Sequence, residues 1–444
     1  MANIGFEKLE LPELLVGNSR RVRFPPYDIL NYGPYQVGKL SNKIRIIPYI
    51  KTDINLQNLL NDLFDLSKLG KKEYPFEQKR INKFEQLVEN YKGFTIEYPE
   101  TTKDKLYDLL SLSRDTLYII IHEDRLSRSE YHKTKLFAIL QDSTVQFINL
   151  KHLIVPNSYT TFNIWIQLLA KSGGKPWIVD NSTNSFKRNT LLIGISFSHL
   201  NNKVMYGVSH FVDLNNLDQS LELTKLTRKD GFTGIMLKED EMSAIIEKGI
   251  SWFKGKNEKA GDISIYIYKT SPLHKDEINS ISKLIQNKDK YGFTKISVSH
   301  THVKSKNFGV PRFYDPENLE SDFKFMAKMG TCLQIQAGFS NNETFPYQTE
   351  LVIATTGYIP GKKGRGTLGT PKPLFLHVHA TEGDMIDYVK KQTMAMKVMD
   401  WENSNIQNSK LFILKYSQRM ARLLSYVDNI DEVLPNTLDV RQLM

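Results

Sequence analysis

Residues 116–149 constrain the fold of this chain more than any other stretch. TLYIIIH (116–122) is an almost unbroken apolar run of strand length, and TVQFIN (144–149) is a second strand-like run. Between them Ser127-Arg-Ser-Glu130 has the S-x-x-E spacing of a capping box, opening a helix that runs to about residue 140. Strand, helix, strand at this spacing is a βαβ unit of a doubly wound sheet.

The rest of the chain extends this α/β pattern. KIRIIPYI (43–50) reads as a buried strand, 56–69 and 76–91 as helices, 95–98 as a short strand, and 161–171 as a helix closed by Gly173-Gly174. The composition changes between 174 and 188. Beyond it, LLIGISFSH (191–199) and VMYGVSHFVD (204–213) flank Leu200-Asn-Asn-Lys203, a hairpin signal. Helices are expected at 239–254 and 275–286, and strands at 262–268, 295–303, 331–336 and 350–355. A Gly/Lys loop (357–373) and helices at 383–399 and 415–427 complete the pattern. A hairpin, further strands and terminal helices fit a ribonuclease H-like fold, among others.

Bulk properties narrow the function class. A chain of 444 residues has room for two or three domains, and 59 Lys and Arg against 49 Asp and Glu give a net charge of +10. A basic balance points to a polyanion, either nucleic acid or an anionic membrane. Cys332 is the only cysteine, which excludes an internal disulfide and a multi-Cys zinc site. The N-terminus has no signal-peptide pattern and no stretch reaches membrane-span length. The expectation is a cytoplasmic protein without direct membrane insertion.

A set of polar residues then stands out. Tyr131 and Lys135 lie one helical turn apart, Gln146 lies on the following strand, and Asn163, Gln167 and Lys171 share one face of an otherwise apolar helix. A solvated face would account for such a stripe. A phosphate pocket would account for it too: the lysines supply charge, Gln and Tyr supply directional donors, and a base stacked on Tyr131 would add roughly 1–3 kcal/mol.

Tyr131-His-Lys-Thr-Lys135, Gln146 and Lys171-Ser-Gly-Gly-Lys-Pro-Trp177 together resemble the MID domain of prokaryotic Argonautes. The lead-in Tyr27-Asp-Ile-Leu-Asn-Tyr-Gly-Pro-Tyr35 resembles the start of short Argonautes. Thr356-Gly357 followed by Gly369-Thr-Pro-Lys-Pro-Leu374 resembles their PIWI half. The resemblance covers nearly the whole chain. It implies a lead-in (1–40), a Rossmann-like MID domain (41–174) and a ribonuclease H-like PIWI domain (175–444). It implies that Tyr131, Lys135, Gln146, Phe147, Asn163 and Lys171 hold the 5′ phosphate and first base of a guide RNA or DNA. It further implies a Mg2+ ion that bridges guide phosphates to Gln167 and to the C-terminal carboxylate of Met444.

In active PIWI domains two metal ions are held by clustered carboxylates. The first such position here falls in Ile193-Gly194-Ile195-Ser196 and the second in Tyr268-Lys269-Thr270. Residues 181–212, 263–275 and 403–427 contain no Asp or Glu. With Ser196 and Thr270 at degenerate positions, the expectation is a protein that does not slice. Short Argonautes of this type pair with an APAZ-type (N-lobe-like) protein. They relay recognition of a complementary target strand, expected to be DNA, to an effector such as a membrane-associated disruptor, an NAD-depleting enzyme or a nuclease. An active guided endonuclease using other acids, and a guide-independent nucleic-acid scaffold, are the alternatives.

Other features have plainer readings. His300-Thr-His302 and His377-Val-His379 are HxH pairs on expected strands, read as structural or nucleic-acid-facing histidines rather than metal ligands. Lys362, Lys363 and Arg365 in a glycine-rich loop, and Lys304, Lys306 and Arg312, are candidate contacts to a nucleic-acid backbone or else solvated surface.

Overall fold

The structure is a computed structural model. It describes residues 4–22, 28–29, 32–37, 44–50, 55, 58–60, 95–96, 116–123, 126–155, 158–180, 189–200, 203–214, 218–226, 236–258, 261–304, 327–335, 342–355, 373–402, 410–425, 437–438 and 440–443. The expected helix 76–91, most of 56–69 and the Gly/Lys loop lie outside these residues.

The chain forms two compact units, and neither is one continuous segment. One comprises Glu13–Asp180, Asp400–Ser404 and Leu423–Met444; the other comprises Met1–Pro12, Asn181–Met399 and Asn405–Arg422. These units therefore do not follow a single linear cut of the chain. The strand β1 (Ile4–Lys8) pairs antiparallel with a strand of the later half, and the chain's end returns to the earlier one. Pairing across more than 300 residues leaves no local trace in a sequence.

The first unit is built on a parallel sheet. Its strands β4 (Ile44–Tyr49), β5 (Thr95–Ile96), β6 (Leu117–His122) and β7 (Thr144–Asn149) run in the order β5-β4-β6-β7. The helix α1 (Arg128–Leu140) makes the β6-to-β7 crossover, as the capping box requires. Leu117 to Ile121 are all buried, the pattern of a strand covered on both faces. Tyr118 and Ile120 pack with Ile47, Val145 and Ala138. The helices α2 (Leu150–Ile154) and α3 (Ser158–Lys171) follow. Gly173, at φ 88°, ends α3 in the left-handed region open to glycine. A small sheet of β2 (Leu14–Val16), β3 (Arg20–Val22) and β8 (Ile178–Val179) lies in the same unit.

The second unit carries a large mixed sheet. Its strands are β1, β9 (Thr190–Leu200), β10 (Lys203–Asp213), β11 (Asp218–Lys225), β12 (Asp262–Lys269), β13 (Lys295–Lys304), β14 (Thr331–Ile335), β15 (Tyr347–Ile353) and β16 (Leu374–Ala380). They lie side by side as β1-β14-β15-β16-β13-β12-β9-β10-β11. The hairpin β9–β10 is antiparallel, and β12 pairs parallel with both β9 and β13. The helices α4 (Glu239–Lys254) and α5 (Lys275–Gln286) cover one face, where Ile193, Ile265, Ile267, Ile246 and Ile281 share one core. The later helices are α6 (Met385–Val398) and α7 (Phe412–Leu424). Gly194 lets α7 approach β9: a Cβ there would lie 2.5 Å from the Ile413 carbonyl oxygen.

Candidate nucleic-acid interface

The helix start at Ser127 fixes where Tyr131 and Lys135 fall. The Ser127 hydroxyl accepts from the Glu130 amide (3.1 Å) and the Glu130 carboxylate accepts from the Ser127 amide (3.0 Å). One turn on, Tyr131 packs its ring against Phe147 of β7, with centroids 4.8 Å apart and planes 39° apart. Lys135 Nζ lies 5.2 Å from the Tyr131 ring centroid and donates to the Leu443 carbonyl (3.1 Å).

The third component comes from α3. Lys171 Nζ donates to the Val145 carbonyl (2.7 Å) and to Gln146 Oε1 (2.6 Å), while Gln146 Nε2 donates to the Phe147 carbonyl (3.0 Å). Because β7 is, among the described residues, the last strand of its sheet, these two side chains satisfy backbone carbonyls at that edge. Lys135, Gln146 and Lys171 are all buried, at 4%, 6% and 5% exposure. Two lysine ammonium groups are thus held at low exposure at the end of a parallel sheet, an arrangement that favours an anion.

The C-terminal 3-10 turn Val440–Leu443 packs against α1, β7 and α3, with Val440 and Leu443 buried. The Leu443 carbonyl in this cluster was not legible in the sequence, because a backbone group has no motif. Met444 itself lies outside the described residues. Asn163 and Gln167 are half-buried on α3, and Gln167 Nε2 donates to the Glu402 carbonyl (2.7 Å). The polar stripe is therefore not simply a solvated face. The segment bearing Glu402 is anchored by Trp401, whose indole N–H donates to the Trp177 carbonyl (3.1 Å).

In the mixed-sheet unit, Ser196 is buried on β9, with its hydroxyl 2.8 Å from that of Ser417 on α7. Thr270 is half-buried just past β12. Lys304 is exposed at the end of β13, its Nζ 4.0 Å from the Phe375 ring centroid. Lys306, Arg312, Lys362, Lys363 and Arg365 lie outside the described residues. Sequence reasoning missed a buried ion pair, Lys269 with Glu277, whose carboxylate also accepts from the Leu237 amide (3.1 Å). Burial lowers the Lys269 pKa and the Glu277 charge opposes that shift. Cys332 is buried in β14, and desolvation pushes its thiol up to about 12. Among the described residues no helix is long and apolar enough to cross a membrane.

No protein-family model matches the chain, and no curated protein does. Solved structures do. A crystal structure of A. aeolicus Argonaute superimposes with a TM-score of 0.62 at 15% identity, covering 99% of this chain and 55% of that one. A crystal structure of Aa-Ago with externally bound siRNA gives 0.58 at 15% identity, covering 99% and 56%. The fold is Argonaute-like. The chain spans little more than half the length of the Argonaute chains it matches.

Proposed function

We propose that this protein is a short Argonaute, with a Rossmann-like MID domain and a ribonuclease H-like PIWI domain, that holds a 5′-phosphorylated guide and does not slice. The observation that carries this reading is the convergence of Tyr131, Lys135, Gln146, Phe147 and Lys171 along β7. Those residues offer two ammonium groups, an amide and a phenol ring to one terminal phosphate and its base. A matched target strand would then be read by base pairing, with the protein contacting backbone and shape.

A Mg2+ ion suits the donors on hand. Gln167 commits its Nε2 to Glu402, so its Oε1 is the oxygen donor suited to a hard cation. Gln167 would supply one ligand to such an ion. Its chemistry there is to neutralise guide phosphate charge. The lysines orient the phosphate, and Tyr131, backed by Phe147, stacks on the first base.

Ser196 and Thr270 supply neutral hydroxyls where slicing needs carboxylates. Without slicing, recognition of invader nucleic acid serves to signal, in the cytoplasm, to an APAZ-type partner and an effector in antiviral or anti-plasmid defence. The test is to sequence the nucleic acid that co-purifies with the protein and to assay cleavage of a matched target with Mg2+ or Mn2+. Short strands with a uniform 5′ phosphate and an intact target are expected. Chelator-sensitive target cleavage would refute the non-slicing part. Random fragments with mixed ends would refute guide loading.

A further inference from the structure

We propose that His300, His302, His377 and His379 form a binding site for a borderline divalent d-block cation, Zn2+ being the type case. The site lies in the mixed-sheet unit and stands independently of the guide reading. The strands β13 and β16 are antiparallel neighbours, with His300 opposite His379 and His302 opposite His377. Alternation along each strand puts all four imidazoles on one face. Ile296 and Val298 precede them on that face and belong to the core under α4 and α5. The face thus changes from aliphatic to imidazole within one strand.

The spacing suits shared ligation. The His377 and His379 ring centroids are 4.5 Å apart, and those of His300 and His379 are 6.4 Å apart. Two imidazoles on one tetrahedral ion at about 2 Å place their centroids roughly 5 Å apart. As the rings stand, no three such donors among the described residues meet at one point. The χ2 torsion of histidine is broad, so ring rotation can close the shell without moving the backbone.

His300 gives the independent sign of a missing ligand. It is fully buried, and neither ring nitrogen has a hydrogen-bond partner. The closest carboxylate oxygen described, Glu277 Oε2, lies 3.9 Å from its Nε2. A buried imidazole with both nitrogens unmet is costly, and a metal–nitrogen bond would satisfy one of them. His302, His377 and His379 are half-buried, which leaves a route in from solvent.

Burial, together with Lys269, Lys304 and the neighbouring rings, depresses the histidine pKa values. Of the two lysines, Lys269 is paired with Glu277, and Lys304 is exposed with its Nζ over the Phe375 ring. Glu350 stands opposite His377 on β15, placed to accept from a ligating imidazole. Four nitrogens close a tetrahedral shell, so the ion would be structural, pinning β13 to β16.

The test uses the untagged full chain, stripped with chelator and titrated with Zn2+ and with Co2+, whose visible spectrum reports a tetrahedral nitrogen shell. One ion per chain and a rise in Tm are expected. Binding should be at least about 100-fold weaker in His377→Ala and about 10-fold weaker in Glu350→Gln. Failure of the wild type to bind, or equal affinity in His302→Ala/His377→Ala, overturns the proposal. X-ray absorption on the zinc-loaded wild type needs no variant: imidazole scattering supports the site, and an oxygen-only shell overturns it.

Discussion

Removing the Lys171 ammonium while keeping its stem, as in Lys171→Met, separates recognition of a 5′ phosphate from general affinity for nucleic acid. Lys171 is 5% exposed and its Nζ is already oriented by the Val145 carbonyl and Gln146 Oε1. A charge-assisted hydrogen bond contributes about 1.5–3 kcal/mol, so its loss should weaken 5′-phosphate binding by roughly 10- to 150-fold. The same change removes the donor to two buried acceptors, which costs about 1–3 kcal/mol of folding stability. The assay is fluorescence anisotropy with two oligonucleotides of one sequence, one 5′-phosphorylated and one 5′-hydroxyl. The ratio of their affinities isolates the phosphate contribution, because the backbone contribution is common to both. Lys135→Ala should lower the ratio comparably, and the double variant should bring it close to 1. The 5′-hydroxyl strand should bind all variants within about threefold if general affinity comes from other backbone contacts. A wild-type ratio near 1, or a ratio that survives in the double variant, would refute the pocket.

Other outcomes follow from the cores. His210 is fully buried, with Nδ1 3.1 Å from the Ile413 carbonyl and Nε2 3.1 Å from Gln219 Oε1, and desolvation lowers its pKa to about 4. The unfolded chain therefore binds the extra proton first. Stability should fall by about 2 kcal/mol from this group between pH 7 and 5, and denaturant titrations of His210→Gln should show a slope flatter by about one proton. Gly194→Ala drives a Cβ into the Ile413 backbone and should cost more than about 2 kcal/mol, whereas Gly207→Ala meets nothing closer than 3.6 Å and should cost less than about 1 kcal/mol; thermal melts compare the two. Lys269→Met should cost about 3–5 kcal/mol by stranding buried Glu277, and Lys269→Met/Glu277→Leu should recover much of that loss in chemical denaturation.

The sequence alone determined the local elements and their chemistry. The apolar run 117–121, the capping box at Ser127 and the glycine at 173 fix β6, α1 and the end of α3, because strand burial, helix capping and left-handed backbone are properties of a few adjacent residues. One-turn spacing likewise placed Tyr131 beside Lys135, and Asn163 beside Gln167 and Lys171. Tertiary structure decided what those side chains meet. That Lys171 and Gln146 satisfy the edge of β7, that Lys135 reaches Leu443, and that β1 joins β14 all depend on contacts between residues far apart in the chain. The HxH pairs show the division most clearly. Each pair is visible as a His-x-His tripeptide, but their register, 300 against 379 and 302 against 377, follows from how β13 and β16 align. Alternation says which side chains share a face of one strand; only pairing in the sheet says which face of which neighbour they join.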